Sequence, residues 1–310
     1  MTTRHFSREE IFALDPVRVA DAMAGALAMV SRGAAVAPVR SHIDLDEGAG
    51  TFLISGALTE LDLLSVKVIS VRPANPTRGL ERLQGFITVF QSSTGLPLAT
   101  LDARSATEVR TAACSAVSVR HMAPSGATAL AVFGTGPQAV AHLRALTAER
   151  RFEDIRIVGH RLEAAQRLAA SQPGARATTA EEAVRGAHII VTATNSTAPL
   201  FRAAEVADGT HLALVGSGSE HAREVEPELL GRAAAIRVDH RPTCITESGE
   251  IVGALAAGLI EEDAVRELGE VVLGRAPGRT GPRDVTLYKS VGNGTQDAAL
   301  AALLLGMEVR

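Results

Sequence analysis

The first third of the chain combines a helical pattern with several strand-like segments. Residues 15–30 (DPVRVADAMAGALAMV) carry apolar side chains at helical spacing after an Asp-Pro pair, which predicts a helix. Segments of alternating polarity bounded by turn residues predict strands at 50–58, 63–71 and within 85–102, with turns at Gly79, Gly85 and Gly95. Short helices and strands in this mixture are typical of an α+β domain.

From Thr128 onward, apolar strands alternate with amphipathic helices. The predicted strands are ALAVF (129–133), DIRIVG (154–159), AHIIVTA (187–193), THLALVG (210–216) and AAIRVD (234–239). One helix between them is predicted to begin at a Thr179–Glu182 capping box and to end near Gly186. This alternation is typical of a doubly wound parallel sheet with helices on both faces. The last apolar segment, 295–309, predicts a helix that either caps this sheet or crosses back to the N-terminal region.

The first of these strands runs into the segment 134–139, Gly-Thr-Gly-Pro-Gln-Ala, which matches G-x-G-x-x-G/A between a strand and a helix. Gly134 permits the tight turn, Gly136 has no side chain to keep a pyrophosphate away, and Ala139 lets the helix pack closely. Pro137 fits the first helical turn, whose free N–H groups attract phosphate. A plain strand-turn-helix connection is the alternative, but the position at the first strand of an alternating series favours a dinucleotide site.

The end of the second strand indicates which dinucleotide is bound. A carboxylate there holds the ribose hydroxyls of NAD, whereas an arginine pairs with the 2′-phosphate of NADP. This chain has Gly159, His160 and Arg161 at that point and no carboxylate. The sequence therefore favours NADP(H), while NAD(H) stays open because Arg161 also fits a solvated first-turn position.

Ligands of such sheets lie at the carboxyl ends of the strands. Two of these ends, 193–195 (Ala-Thr-Asn) and 215–218 (Val-Gly-Ser-Gly), are small and polar and contain no obvious general base. Glu220, His221 and Arg223 follow, but each fits a surface role. The reacting groups are therefore expected to come partly from the other domain.

Charge and composition exclude several other functions. A net charge of −4 leaves no basic excess to neutralise nucleic-acid phosphates, and no apolar run is long enough to span a bilayer. The charged N-terminal residues do not resemble a secretory signal, so a cytoplasmic protein is expected. Cys114 and Cys244 lie far apart without metal-ligand spacing, so two reduced thiols and no metal site are expected.

Lysine is rare in this chain. Of 31 Lys and Arg residues, only Lys67 and Lys289 are lysine. Arginine supplies generic positive charge, so a lysine marks a place where a compact, titratable ammonium is useful. Lys67 lies inside an apolar strand, where it needs a partner or a purpose unless its head reaches water at a strand edge.

Two arginines are candidate anion ligands. Arg40 follows an apolar segment and has the geometry to hold a carboxylate through two hydrogen bonds, although a surface role is the alternative. Ser105 and Glu108 have capping-box spacing, which predicts that a helix begins near Ala106. Arg110 then lies one turn into that helix, where the dipole disfavours a cation, so an anionic partner is predicted.

Four segments in order along nearly the whole chain resemble the ornithine cyclodeaminase/mu-crystallin family: 98–123 (LATLDARSATEVRTAACSAVSVRHMA), 130–139 (LAVFGTGPQA), 245–255 (ITESGEIVGAL) and 287–297 (LYKSVGNGTQD). The resemblance implies an α/β fold in which a Rossmann-type doubly wound parallel sheet is inserted into a second α+β domain. The Rossmann domain is predicted at 126–287, and the substrate-binding and dimerisation domain at 1–125 plus 288–310.

The resemblance also implies roles for individual residues. Arg40, Lys67 and Arg110 are expected to surround the carboxylate of an amino or imino acid beside the nicotinamide. Arg110 is expected to touch the cofactor as well, and Ser290 to lie near its nicotinamide end. A homodimer is implied in the same way.

The chain departs from the family after Gly216. Cyclodeaminases and related alanine dehydrogenases resemble one another in an aspartate there, where this chain has Gly218. Reduction of a cyclic imine needs fewer protein groups than cyclodeamination does. It needs a hydride, a bound carboxylate and one proton, which Lys67 or a water that it orients would supply. The expected activity is NAD(P)H-dependent ketimine reduction, of Δ1-pyrroline-2-carboxylate to proline or Δ1-piperideine-2-carboxylate to pipecolate. The alternatives are an ornithine cyclodeaminase-type lyase with bound NAD, an alanine dehydrogenase-like oxidoreductase, and a non-catalytic binder of NADP or a small carboxylate.

The predicted catalytic residues are Lys67, Arg40 and Arg110. The predicted cofactor-binding residues are Arg110, Thr111, Gly134, Thr135, Gly136, Pro137, Gln138, Ala139, His160, Arg161, Ala193, Thr194, Val215, Gly216, Ser217 and Ser290. A small cyclic imino acid is the predicted substrate, and neither nucleic acid nor a membrane is a predicted partner.

Overall fold

The computed structural model describes residues 3–45, 49–216 and 222–309. The chain divides into two compact units, Met1–Arg110 with Gly292–Arg310, and Thr111–Val291. The first division falls inside a continuous helix, so it lies earlier than the predicted domain border at 125/126. The second lies slightly later than the predicted border at 287/288, and both borders stay predictions about domains.

The strands and helices are numbered in chain order. The strands are β1 (Arg4–Phe6), β2 (Ala35–Val36), β3 (Ser41–Asp44), β4 (Gly50–Leu58), β5 (Leu63–Val71), β6 (Leu83–Gln91), β7 (Pro97–Asp102), β8 (Ala129–Phe133), β9 (Asp154–Val158), β10 (Ala175–Ala177), β11 (Ile189–Thr192), β12 (His211–Leu214), β13 (Ala235–Val238), β14 (Val265–Glu267) and β15 (Thr286–Lys289). The helices are α1 (Arg8–Phe12), α2 (Pro16–Ser31), α3 (Ala103–Met122), α4 (Pro137–Glu149), α5 (Leu162–Ala170), α6 (Ala180–Val184), α7 (Pro227–Arg232), α8 (Arg241–Glu247), α9 (Gly249–Ala256), α10 (Leu268–Val272) and α11 (Gly294–Leu304).

The first unit is built on one mixed sheet with the strand order β1-β7-β6-β5-β4-β2, and β3 also pairs with β4. The predicted helix at 15–30 and the predicted strands are confirmed, and positive φ angles at Gly79 and Gly95 agree with the predicted turns. The predicted turn at Gly85 is wrong, because Gly85 pairs with Ile69 inside β6. A Cβ at Gly85 would lie 2.1 Å from the Val68 carbonyl oxygen, so the glycine serves close strand packing.

The last helix, α11, belongs to the first unit. Its sequence allowed a position on the second sheet or one with the N-terminal region, and the structure has the latter. The helix packs on β4, β5 and α2. The approach is close, because a Cβ at Gly56 would lie 2.4 Å from the Thr295 nitrogen, and Ser65 Oγ donates a 2.7 Å hydrogen bond to the Gly294 carbonyl. Two glycines therefore let the start of α11 contact the sheet backbone.

The second unit contains, within its described residues, a parallel sheet of eight strands in the order β10-β9-β8-β11-β12-β15-β13-β14. All five strands predicted there are confirmed. The sequence pattern did not separate β10, β14 or β15 from their surroundings, and β15 inserts between β12 and β13. Among the described helices, none is both long and apolar enough to cross a membrane.

Two helix starts test the capping predictions. Helix α6 begins after Thr179, whose hydroxyl accepts a 3.3 Å hydrogen bond from the Glu182 amide, and Gly186 follows its end with φ +67°, as predicted. The start predicted near Ala106 is wrong, since α3 begins at Ala103. Asp102, at the end of β7, accepts a 2.8 Å hydrogen bond from the Ser105 amide and so replaces Ser105 as the capping side chain.

Candidate active site

The loop after β8 has the geometry of a phosphate-binding turn. Gly134 has φ +125°, and a Cβ there would lie 2.5 Å from the Ala193 carbonyl oxygen. Gly136 caps α4, Pro137 occupies its first turn, and a Cβ at Gly136 would meet open space. Ala139 is fully buried against the sheet. The backbone at the start of α4 is thus open to an incoming group, and this region fits a dinucleotide pyrophosphate.

The strand order indicates where the two halves of a dinucleotide would lie. β9 and β10 lie on one side of β8, and β11 and β12 lie on the other, so the winding reverses at β8. Such a reversal is where dinucleotides bind across the carboxyl ends of the strands. The adenosine half is therefore expected at the β9 side and the nicotinamide half at the ends of β11 and β12.

At the β9 side, His160 and Arg161 are exposed. Arg161 precedes α5 without a side-chain capping bond. Thr135 contacts Gly159, where a Cβ would lie 2.7 Å from the Thr135 methyl carbon. Gln138 is half-buried. The geometry is compatible with either coenzyme and leaves the NADP preference a prediction.

At the β11 and β12 side, Ala193, Thr194, Val215 and Gly216 are half-buried. The predicted Ser217 lies outside the described residues, as does Gly218. Glu224, which the sequence reasoning missed, is fully buried here and binds both strand ends. Its carboxylate accepts hydrogen bonds from the Thr192 hydroxyl at 2.6 Å, the Thr194 amide at 2.7 Å and the Gly216 amide at 2.9 Å.

β15 lies beside β12 in the same sheet, and its last residue is the second lysine, Lys289. Lys289 is fully buried, and its Nζ lies 3.0 Å from Glu250 Oε2. Burial raises the pKa of Glu250, but Lys289 and backbone hydrogen bonds more than offset this and lower it below the ordinary value. The predicted Ser290 is buried and donates a 2.7 Å hydrogen bond to Asp239.

Two buried histidines connect the C-terminal half of α3 to the second sheet. His142 Nε2 lies 2.9 Å from the Ser115 hydroxyl, and His211 Nε2 lies 3.0 Å from the Ser118 hydroxyl. Burial lowers the pKa of His142 to about 4 and, with nearby arginines, that of His211 to about 3. Both rings are therefore neutral at pH 7. Thr111, a predicted cofactor contact, begins this half of α3 and is buried.

In the first unit, Lys67 and Asp297 form a buried ion pair. Lys67 lies on β5 and is 1% exposed, and Asp297 lies in the first turn of α11 and is 0% exposed. Their Nζ and Oδ2 atoms are 2.9 Å apart. Ile54 and Ile87 flank Lys67 on the neighbouring strands. The ammonium therefore has a carboxylate partner, and the residues paired with Lys67 on both neighbouring strands are apolar.

Arg110 reaches the same carboxylate from α3. Its Nε lies 3.7 Å from Asp297 Oδ1, and its Nη1 donates a 2.8 Å hydrogen bond to Gln296. Among the described residues, Arg110 Nε and Asp297 Oδ1 have no hydrogen-bond partner. Gly292, with φ +81°, leaves room for the guanidinium, since a Cβ there would lie 2.4 Å from Arg110 Nη2.

Arg40 completes the positive cluster. It is half-buried, and its guanidinium lies 4.9 Å above the Phe52 ring, which also stacks with His42 at 4.1 Å. Burial lowers the pKa of Lys67 from 10.5 to about 8, against the attraction of Asp297 and with repulsion from Arg110 and Arg40. Lys67 and Arg110 thus approach one carboxylate while Arg40 adds positive potential at Lys67, and a positive potential of this kind suits a bound anion.

The sequence reasoning missed Asp297, Gln296 and Glu250 as well as Glu224. Asp297, Gln296 and Glu250 lie in two of the segments that resemble the family, 287–297 and 245–255. A usable signal was present in the sequence, because a lysine in an apolar strand needs an acidic partner and Asp297 is an acid in a largely apolar predicted helix. The expectation that Lys67, Arg40 and Arg110 face the nicotinamide stays a prediction.

Comparison with known proteins gives a consistent picture. The model of the ornithine cyclodeaminase/mu-crystallin family matches residues 3–306. The chain is 30% identical over 277 residues to Δ(1)-pyrroline-2-carboxylate reductase of Bacillus cereus, covering 87% of this chain and 85% of that protein. It is 37% identical over 243 residues to an uncharacterized cyclodeaminase of Sinorhizobium fredii, covering 74% and 71%.

Solved structures resemble this one over nearly the full chain. Δ(1)-pyrroline-2-carboxylate reductase of Thermococcus litoralis, in complex with NADH and L-proline, is 27% identical with a TM-score of 0.92, covering 98% of this chain and 97% of that one. Iminosuccinate reductase of Paracoccus denitrificans, in complex with NAD+, is 30% identical with a TM-score of 0.90, covering 98% and 95%. An archaeal alanine dehydrogenase dimer with bound NAD is 26% identical with a TM-score of 0.92, covering 99% and 96%.

Proposed function

This chain belongs to the ornithine cyclodeaminase/mu-crystallin family, and from that premise we propose that it is an NAD(P)H-dependent reductase of a small cyclic imino acid. The preferred substrate is Δ1-pyrroline-2-carboxylate, which gives proline, with Δ1-piperideine-2-carboxylate second. One observation carries the proposal: Lys67 and Arg110 both approach the buried carboxylate of Asp297, and Arg40 is close enough to act on the charge of Lys67. The relatives that reduce pyrroline-2-carboxylate support the same chemistry.

The second unit would hold the coenzyme. The turn at Gly134 and Gly136 and the start of α4 would bind the pyrophosphate, and the ends of β11 and β12 would support the nicotinamide. When bound in its reduced form, the coenzyme supplies the hydride for the imine carbon. Arg161 and His160 favour NADP(H), and NAD(H) is the alternative that the compared structures contain.

The first unit would hold the substrate. Arg40 and Arg110 bind the carboxylate, because a guanidinium pairs with it through two parallel hydrogen bonds. Lys67 donates the proton that the ring nitrogen needs when the C=N bond is reduced, so the imine, one hydride and one proton give the secondary amine. Asp297 keeps the Lys67 ammonium charged and directed, since its attraction raises the pKa that burial lowers.

The same surround argues against a diamino acid substrate. Ornithine carries a second ammonium, which needs an acidic partner when it leaves water. The strand neighbours of Lys67 are isoleucines, and Asp297 already pairs with Lys67. A second cation beside Lys67, Arg110 and Arg40 would be repelled. An uncharged ring fits this site better than the substrate of a cyclodeaminase.

A substrate panel tests the proposal. The panel contains both cyclic imines, iminosuccinate, 2-oxo acids with ammonia, and ornithine, each with NADH and NADPH followed by absorbance. Coenzyme oxidation with the cyclic imines supports the proposal, and the faster coenzyme settles the NADP preference. Ammonia released from ornithine without added reductant would replace the proposal by the cyclodeaminase. Tight coenzyme binding without any turnover would replace it by a non-catalytic binder.

We also propose that the outer face of the first sheet pairs with a second copy of this chain in the cytoplasm. Ile43, Leu53 and Phe86 lie on strands β3, β4 and β6 of this sheet and are 51%, 38% and 54% exposed, and clustered exposed apolar side chains mark interaction surfaces. The compared alanine dehydrogenase is a dimer. Both cysteines are thiols outside any disulfide, which suits a reducing compartment. Sedimentation of Phe86→Glu, with exposed Leu162→Glu as the control, should show a monomer for the first variant alone.

A further inference from the structure

We infer that Glu224 is a positioning residue for the nicotinamide half of the coenzyme, because its buried carboxylate joins the carboxyl ends of β11 and β12. This residue touches no predicted substrate group, so its role is to hold backbone that the coenzyme would contact. The inference concerns the coenzyme alone and does not depend on which imine is reduced.

The carboxylate is surrounded by donors. Oε2 accepts from the Thr192 hydroxyl at 2.6 Å and from the Gly216 amide at 2.9 Å. Oε1 accepts from both the amide and the hydroxyl of Thr194, each at 2.7 Å. Each oxygen therefore has two donors, and the group is an acceptor in all four contacts. A carboxylate satisfies this arrangement, whereas an amide side chain would place donor against donor.

Packing makes the junction tight. A Cβ at Gly216 would lie 2.2 Å from Glu224 Oε1 and 2.3 Å from the Thr194 carbonyl oxygen. The carboxylate thus occupies the space where a side chain of residue 216 would stand. This explains why glycine follows β12, and it fixes Thr194 and Gly216, two predicted coenzyme contacts, relative to each other.

A second carboxylate fixes Glu224 itself. The Glu224 amide donates a 3.0 Å hydrogen bond to Glu250 Oε1, and Glu250 pairs with Lys289 at 3.0 Å. Ser248 also donates to Glu250 at 3.0 Å. Since Lys289 ends β15, the neighbour of β12, the chain of contacts extends across the strand ends on the nicotinamide side of β8. The pyrophosphate turn lies on the other side of β11, where Gly134 approaches the Ala193 carbonyl and none of the four Glu224 carboxylate contacts reaches it.

The test compares two probes that share the adenosine half. Kd values for NADH and for ADP-ribose are measured by calorimetry on the wild type and on Glu224→Gln, with NADPH and 2′-phospho-ADP-ribose used as well. We expect the Kd of the complete coenzyme to rise on the order of tenfold, because buried donors lose an acceptor. The Kd of ADP-ribose should stay the same, since β8 and β9 are untouched.

Two further variants secure the result. Glu226→Gln is the matched control: Glu226 accepts from the Ala203 amide at 2.6 Å, away from the strand ends, and neither Kd should change. Thr192→Val removes one of the four donors to Glu224 and keeps the shape of the side chain. If Glu224→Gln does not fold, this variant tests the inference in its place. A smaller rise confined to the complete coenzyme supports the inference. Equal loss for both probes in either variant, or no loss for the complete coenzyme, overturns it.

Discussion

The two lysines of the chain lie in two buried ion pairs that differ in their surroundings. Lys67 pairs with Asp297 at 2.9 Å, and Lys289 pairs with Glu250 at 3.0 Å, with all four side chains buried. Burial and pairing are therefore the same in both places. Burial and pairing alone therefore do not distinguish Lys67, the proposed proton donor, from Lys289.

The surroundings separate the two pairs. Asp297 serves Lys67 while Arg110 and Arg40 add positive charge, and Asp297 Oδ1 and Arg110 Nε have no hydrogen-bond partner among the described residues. Glu250 instead accepts from Lys289, the Glu224 amide and the Ser248 hydroxyl. The first pair has two further cations acting on it and open hydrogen-bonding groups, which suit a ligand. The second is satisfied by the protein, which suits a structural support.

The largest expected effect is on turnover. Lys67→Met should lower kcat for the cyclic imine by about 10²–10⁴-fold, the range that a positioned proton donor supplies. Coenzyme Kd should be unchanged, because the predicted coenzyme loop lies in the other unit. Steady-state kinetics with parallel calorimetry checks both. A variant that keeps wild-type kcat would remove Lys67 from the mechanism.

The second pair should respond in stability. Lys289→Met leaves Glu250 buried without its cation, and breaking a buried pair in this way costs about 3–5 kcal/mol. Denaturant unfolding should show this loss of unfolding free energy, and the double variant Lys289→Met with Glu250→Met should recover part of it. No loss of stability in the single variant would show that the comparison between the two lysines is mistaken.

A smaller effect is expected in pH dependence. With the pKa of Lys67 lowered to about 8, kcat/KM should fall as pH rises through that value, because the ammonium is lost. Asp297→Asn should move this alkaline limb to lower pH, since Asp297 raises that pKa. Glu60→Gln, which alters an exposed pair with Arg32, should leave it in place. A limb that does not move in Asp297→Asn would separate the carboxylate from proton transfer.

The free energy of unfolding should rise with pH over the alkaline range in which kcat/KM falls. The pKa of Lys67 is about 8 in the fold and 10.5 as its reference value, so between these the unfolded chain binds more protons. The free energy of unfolding contributed by Lys67 therefore rises from about pH 8 to about pH 10.5. Urea titrations of the wild type and Lys67→Met should show that this rise is absent from the variant.

Local sequence signals predicted much of the fold. The strands at 50–58 and 63–71, the helix after Asp15 and the turn at Gly134 depend on neighbours in sequence, and each is confirmed. The capping signal at Ser105 failed because Asp102, three residues earlier, is a competing acceptor at the end of a strand. The turn at Gly85 failed because glycine also serves close contact between strands, which a local pattern does not distinguish.

The sequence by itself predicted most strands of the two sheets, the glycine-rich turn after β8, and the restriction of lysine to two positions. Only the tertiary structure decided what those lysines face. Asp297 and Glu250 are each distant in sequence from the lysine that they pair with, yet both meet it at hydrogen-bonding distance. Charge surplus and hydrogen-bond satisfaction are sums over neighbours from several elements, so they exist only once the chain has folded.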